Sequence, residues 1–217
     1  MKLTVSCART AEEFAVAEEL SKSRYSKDFA VDLAEIKVSS TDKFDREVII
    51  VTNELNEIVG TSTMMYPVKQ VLYPTEDLFG IIITRQIPDV ASLRMVEVGR
   101  VAKSETAADG ERIMNALMLA TLEYLEINNL VGWIATVKKP MLRYLRKKGL
   151  KNMLMLENPP GYTPSVSPEV RGYMATNDVH YFMATLADTR DGFSTLKPLV
   201  EEGLIIFKMN TLEPQLS

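Results

Sequence analysis

Apolar and polar positions alternate or recur with different periods along this chain, and the periods predict its elements. Residues 2–7, KLTVSC, alternate and predict an opening strand. Residues 11–25, AEEFAVAEELSKSRY, place apolar side chains on one helical face, with Thr10 as N-cap and Glu13 completing a capping box. Residues 26–46 are polar and mixed, with a second short helix expected at 31–36. VIIVT and EIVGTSTMMY are β-rich runs separated by NELN, which reads as a hairpin. GIIITRQI (80–87) and RMVEVGRVA (94–102) are expected as further strands. In GERIMNALMLATLEYLEINN (110–129), Ile113, Leu117, Ala120, Tyr124 and Ile127 recur at helical spacing. LVGWIATV (130–137) has the continuous apolar character of a buried strand. PMLRYLRKKG (140–149) begins on a proline and ends on a glycine, both favourable helix boundaries. MLML (153–156) reads as a short strand, NPPGYTPSVSP (158–168) as a loop, HYFMATL (180–186) as helix or strand, and GLIIFKM (203–209) as a strand. The order predicts a single α+β domain, residues 1–217, on a mixed sheet.

Composition narrows the chemistry. The chain has 217 residues, 46% hydrophobic and 25% charged, enough for a sizeable core. Its net charge of −4 argues against a general nucleic-acid binder. One cysteine, Cys7, excludes an internal disulfide, and one histidine, His180, removes His-rich metal sites and most His-based triads. Both are expected to be structural. The N-terminal stretch lacks the apolar core of a signal peptide, and no apolar run approaches the roughly 20 residues of a membrane span. A cytoplasmic location is the simplest expectation.

The segment MVEVGRVAKSETAADGERIMN (95–115) concentrates candidate chemistry. A strand carrying Glu97 and Arg100 runs into a polar turn and then a helix. A turn with free backbone N–H groups at a helix N-terminus is a ready anion site. Glu97 and Arg100 are three apart, so on a regular strand they face opposite sides. One reading makes Glu97 a general base with Arg100 orienting it or binding a carboxylate. The other makes them a cross-strand ion pair without chemistry. Gly110 and the backbone of Val101, Ala102 and Lys103 either polarise a carbonyl and bind phosphate, or form a plain loop.

The run KKPMLRYLRKKGLK (138–151) holds seven basic residues and no acid: Lys138, Lys139, Arg143, Arg146, Lys147, Lys148 and Lys151. Such a patch suits an acidic partner or phosphates, or is a solvated helix face. Twelve methionines, Met64, Met65, Met95, Met114, Met118, Met153 and Met155 among them, either line an adaptable apolar tunnel or fill the core. Trp133 reads as core.

Several patches together resemble the GNAT N-acyltransferase superfamily, and within it the acyl-homoserine-lactone synthases and N-acyl amino acid synthases. SRYSKDF (23–29) is similar to that branch's Leu-Arg-x-x-Val-Phe region, which places Arg24 at its arginine. TDKFD (41–45) resembles its Asp-x-Tyr-Asp pair, giving Asp42 and Asp45. IVGTSTMMYP (58–67) is similar to its Val-Gly-Thr strand, VEVGRVA (96–102) to its Glu-x-x-Arg motif, and YLRKKGLK (144–151) to the helix end of the superfamily. The resemblance spans about residues 10–170. It implies a GNAT-type, mostly antiparallel mixed sheet flanked by helices, with splayed central strands holding a pantetheine arm. It further implies an acyl thioester on coenzyme A or acyl carrier protein as co-substrate, with no permanently bound cofactor and no metal. Glu97 and Arg100 would be catalytic. Val101, Ala102, Lys103, Gly110 and Arg112 would bind the donor, and Arg24, Asp42 and Asp45 would shape the acceptor pocket. The basic run would dock the acidic acyl carrier protein.

The departures are specific. Ala107, Gly110 and Arg112 fall at the three marked positions of the acetyl-CoA phosphate loop, and only the glycine matches. The tyrosine acid of many relatives falls at Leu145, with Tyr144 one residue away. The quorum-signal branch's hairpin arginine is replaced by Thr63 or Met64, and its tryptophan after the first helix is absent. These losses count against S-adenosylmethionine as acceptor and fit the amine of an amino acid or similar small molecule. The alternatives are a homoserine-lactone synthase, a conventional acetyl-CoA acetyltransferase, and a non-catalytic module that binds acyl thioesters.

Overall fold

A computed structural model describes residues 1–29, 44–67, 73–90, 93–175 and 178–209. Eight strands among them form one sheet: β1 (Leu3–Cys7), β2 (Phe44–Thr52), β3 (Ile58–Pro67), β4 (Met95–Lys103), β5 (Gly132–Lys138), β6 (Leu154–Met155), β7 (Val179–Thr185) and β8 (Ile205–Lys208). Their order is β6-β7-β5-β4-β3-β2-β1-β8. Only β4–β5 and β1–β8 are parallel, so the expected α+β, mostly antiparallel sheet is present. Residues 180–186, open between helix and strand, lie within β7 and its exit. The expected helix at 31–36 lies outside the described residues, as does Asp42.

Helices cover both faces. On one lie α1 (Ala11–Phe29) and α2 (Pro74–Phe79); α3 (Gly110–Ile127) and α4 (Lys139–Lys147) lie on the other. The Thr10–Glu13 capping box is formed: Glu13 N–H donates to Thr10 Oγ1 at 3.1 Å, and Thr10 N–H to Glu13 Oε2 at 2.9 Å. The Arg9 N–H, which donates to Glu13 Oε2 at 2.7 Å, and then the Thr10 N–H hold the Glu13 carboxyl below its usual range. The β2–β3 hairpin closes on Asn53, whose Oδ1 accepts the N–H groups of Leu55 and Glu57, and Asn56 takes φ 61°. Helix α3 carries the main core, with Ile113, Leu117, Tyr124 and Leu125 buried against Val5, Ile49, Met64, Val96 and Trp133. Truncating such a leucine to alanine costs about 2–5 kcal/mol. Most of the methionines named above are buried in or packed against the cores.

The segment 80–87 is not a strand. Gly80, at φ 65°, ends α2, and Ile83–Arg85 form a single 3-10 turn. Ile81, Ile83 and Ile87 are buried in a second core with Phe79, Met95, Ile134 and Tyr173. Their apolar character therefore reflects burial of a loop. Its backbone is satisfied without a ladder: Ile82 N–H donates to Asn158 Oδ1, Ile83 N–H to Glu76 Oε1, and Ile87 N–H to the Ile83 carbonyl.

One feature of the sheet positions the site. Strands β4 and β5 pair only at Met95–Gly132, Val96–Trp133 and Glu97–Ile134. Beyond that, β4 continues to Lys103 along β3, and β5 to Lys138 along β7, without facing each other in register. The centre of the sheet opens into a V with Glu97 at its vertex.

Candidate active site

Glu97 is 3% exposed, on the face covered by α1 and α2. Both of its oxygens are held by Thr75, at the start of α2: the Thr75 N–H donates to Oε2 at 2.9 Å and the hydroxyl to Oε1 at 2.8 Å. The Thr75 hydroxyl lies 2.6 Å from Thr136 Oγ1 on β5. Helix α2 starts here because Pro74 suits the first turn and the Glu76 carboxylate accepts the Tyr73 N–H at 3.1 Å. Among the described residues no cation pairs with Glu97. Burial therefore dominates, and its carboxyl is pushed up to about 8, against the lowering effect of Thr75 and with a further push from Glu76. A carboxyl poised near neutrality in a strand gap is suited to general-base chemistry.

The expectation that Glu97 and Arg100 face opposite sides is overturned. Thr63 pairs with Gly99 and Thr61 with Ala102, so Arg100 and Val101 together oppose Ser62. This bulge inserts one residue into β4, and Arg100 takes φ 51°. The added residue breaks the two-residue alternation and returns Arg100 to the face of Glu97. There it lines a cavity of about 30 Å³ with Ala17, Glu18, Ser21, Arg46 and Thr63. Burial, then neighbouring Arg46, lowers the pKa of the guanidinium, while Tyr25 and Glu18 oppose that. Glu97 is thus held by Thr75, and Arg100 stands with Arg46.

The donor residues expected from the sequence are only partly brought together. Val101, Ala102 and Lys103 form the open edge of β4. A Cβ added to Gly110 would lie 2.7 Å from Lys103 Nζ, so the glycine leaves room for that ammonium over the first turn of α3. Arg112 is directed elsewhere: its guanidinium pairs with Asp109 at 3.1 Å and donates to the Met1 carbonyl, while Asp109 caps α3. A larger cleft, about 760 Å³, lies between α1, the β2–β3 turn and residues 104–108. Glu12, Glu13 and Glu57 line it and disfavour phosphate. Tyr144 donates to Asn115 Oδ1 at 2.7 Å, and burial raises its pKa; Leu145 is core.

Arg24 and Asp45 are not brought together. Arg24 binds Glu105 and Asp28, whereas Asp45 is exposed at the start of β2 opposite Tyr66. Arg24 and Lys27 instead fasten α1 to the loop after β4 through Glu105. The same helix fastens to the far end of β5. The Phe29 ring meets Tyr173 edge-on at 5.0 Å, and Lys138 Nζ lies 5.8 Å from the Phe29 ring. Helix α1 therefore spans the two arms of the V.

Lys138 does not belong to an exposed basic face. It is buried, pairs with Asp178 at 2.9 Å, donates to the Tyr173 carbonyl, and lies 4.5 Å from the Tyr173 ring. Lys148 pairs with Glu111 at 2.5 Å. Lys139, Arg143, Arg146, Lys147 and Lys151 are exposed.

Thr75, Thr136 and Arg46 were not singled out from the sequence. The Tyr-Pro-Thr-Glu start of α2 and a lone hydroxyl inside the apolar run of β5 are the signals that could have found the first two.

No known family model matches the sequence, and no curated protein matches it. Solved structures do. FeeM, an N-acyl amino acid synthase from uncultured soil microbes, aligns over 90% of this chain and 96% of its own, with TM-score 0.62 and 11% identity. BjaI, a CoA-dependent acyl-homoserine lactone synthase solved with SAM and isopentyl-CoA, aligns over 96% and 94%, with TM-score 0.59 and 13% identity. A putative N-acetyltransferase from Lactobacillus plantarum aligns over 86% and 99%, with TM-score 0.52 and 13% identity. Among the described residues no helix is long and apolar enough to cross a membrane. These likenesses give the chain the fold of the aligned structures, a GNAT-type mixed sheet flanked by helices.

Proposed function

We propose that the protein is an N-acyltransferase that moves an acyl group, a fatty chain by preference, from a thioester to the amine of an amino acid or similar small molecule. The observation that carries this is Glu97: a buried carboxylate with no counter-cation among the described residues, at the vertex of the open strands, with its carboxyl near 8. Only the neutral amine attacks a thioester, and its nitrogen must shed an N–H proton as the amide forms; Glu97 takes that proton directly or through a water. The acyl carbonyl lies along the open edge of β4, whose N–H groups past Glu97 face no β5 partner and polarise it. Arg100 and Arg46 bind the acceptor carboxylate. Two guanidiniums beside one Glu18 leave a net positive site for it, and Thr63 adds a hydroxyl.

The donor is an acyl-coenzyme A or an acyl carrier protein, with Lys103 over the first turn of α3 meeting its phosphate. The exposed residues Lys139, Arg143, Arg146, Lys147 and Lys151 form the carrier-docking face. Reversing the charge of Arg143, Arg146 and Lys147 together should slow association with an acyl carrier protein and reduce its salt dependence, read by surface binding kinetics; unchanged binding would sink the docking idea. The activity itself is tested by mass spectrometry of lipid extracts from cells overproducing the protein. A new N-acyl amine names chain and acceptor together. If acyl thioester binds but no transfer is found, the chain is a thioester-binding module instead.

A further inference from the structure

The bonding around Glu97 has a direction. The Thr75 hydroxyl has one proton, and it goes to Glu97 Oε1 at 2.8 Å while that carboxylate is charged. The 2.6 Å contact between the two threonine hydroxyls must then be donated by Thr136. The chain runs Thr136 to Thr75 to Glu97. When Glu97 gains a proton the order inverts: Glu97 donates to Thr75, Thr75 to Thr136, and the Thr136 proton turns outward. Thr75 is 0% exposed, but Thr136 is only partly buried, two residues past the last β4–β5 rung, on the arm of the V away from Glu97. The chain thus links the sealed vertex to the open slot.

We infer that Thr136, fed through Thr75, is the acid that protonates the departing thiolate, so that the proton taken from the acceptor amine leaves on the donor thiol. This rests on the acyl-transfer reading. In the balanced step the amine nitrogen bonds to the thioester carbon, and one N–H proton passes to Glu97. The C–S bond breaks with its electron pair on sulfur. Glu97 then gives its proton to Thr75 Oγ1, Thr75 passes one to Thr136 Oγ1, and Thr136 delivers one to sulfur. Both hydroxyls and the carboxylate are restored, and amide and thiol are the products. The residues other acids would occupy are otherwise engaged: Leu145 is core and Tyr144 is bonded to Asn115. The proton affinities also match, since a carboxyl near 8 is close to an alkyl thiol at roughly 8.5.

The test compares two donors with one acyl chain, an alkyl thioester and a thiophenyl thioester whose leaving group needs no proton. Thr136→Val should lower turnover on the alkyl thioester by about a hundredfold and on the aryl thioester by less than about fivefold. Thr136→Ser, which keeps the hydroxyl, should restore the alkyl reaction. Equal losses on both donors, or none on the alkyl one, overturn the relay and leave Thr136 a packing residue. Should Thr136→Val not fold, the native protein in heavy water decides: a larger isotope effect on the alkyl than on the aryl donor supports the relay, and equal effects refute it. If native protein transfers from neither donor to any amine, the acyl-transfer reading itself falls and the relay with it.

Discussion

Glu97 and Glu47 are both carboxylates buried in the sheet, 3% and 7% exposed, yet their surroundings differ in kind. Glu47 lies on the α3 face, where the strands are fully paired. Tyr124 donates to it at 3.1 Å, Tyr66 donates to Tyr124 at 2.5 Å, and Arg9 stands 3.2 Å away as an ion pair. Its presence beside Cys7 adds to burial in pushing that thiol up to about 12. Glu97 lies where the ladder ends, with both oxygens held by Thr75 and no cation among the described residues. Glu47 has an ion pair as well as a hydrogen bond, whereas the contacts of Glu97 are hydrogen bonds from Thr75. A buried acid that only hydrogen bonds hold keeps the freedom to change protonation, and that freedom separates a base from a structural anchor.

The comparison breaks most visibly if Glu97 is neutralised. Glu97→Gln should reduce turnover by about 10²–10⁴, measured as thiol release, with no loss of thermal midpoint, because Thr75 still finds an acceptor. Unchanged turnover would remove the base assignment. The same carboxyl sets two pH trends. The unfolded chain releases this proton near 4.5 and the folded protein only near 8, so stability from this group is present below 4.5 and falls as pH rises to about 8. Denaturation midpoints of the native protein should decline across that window, and those of Glu97→Gln should decline less. Activity runs the other way: kcat/KM should climb as Glu97 deprotonates and level off above about 8.

Glu47→Leu should do the reverse. The Tyr124 hydroxyl loses its acceptor inside the core, which costs about 1–3 kcal/mol by denaturant titration, while turnover stays near native. A large loss of turnover at unchanged stability would show that the two carboxylates are not divided as described. The smallest effect is expected at the exposed guanidinium of Arg46. Arg46→Gln should raise KM for an amino acid by about tenfold, equivalent to roughly 1.4 kcal/mol, and leave KM for the corresponding decarboxylated amine unchanged.

Much of this arrangement was legible from local pattern. The α3 face, the β2–β3 hairpin and the Glu97–Arg100 strand all follow from periods and turn residues within one segment. The bulge did not, because nothing at Arg100 signals it: the residue at φ 51° is an arginine, not a glycine, and only the register of β3 against β4 creates the extra position. Thr75 was hidden for another reason. It meets Glu97 across 22 residues, through a helix of six residues too short for a periodic signal. The 80–87 segment misled because a buried loop and a buried strand need the same apolar side chains; they differ only in where the backbone finds its partners. Lys138 misled by its type, since lysine usually solvates its charge, and here two aromatic rings and Asp178 replace water.

The attachment of α1 to both arms of the V has a thermodynamic consequence. Glu105 takes Arg24 and Lys27 at one arm, and Phe29 with Tyr173 encloses Lys138 at the other. Folding thus sets the width of the slot. A thioester bound there as proposed would not need to pry strands apart or freeze them once inside, so little of its contact energy would go to ordering the protein, and more would be left to hold the reacting atoms in line.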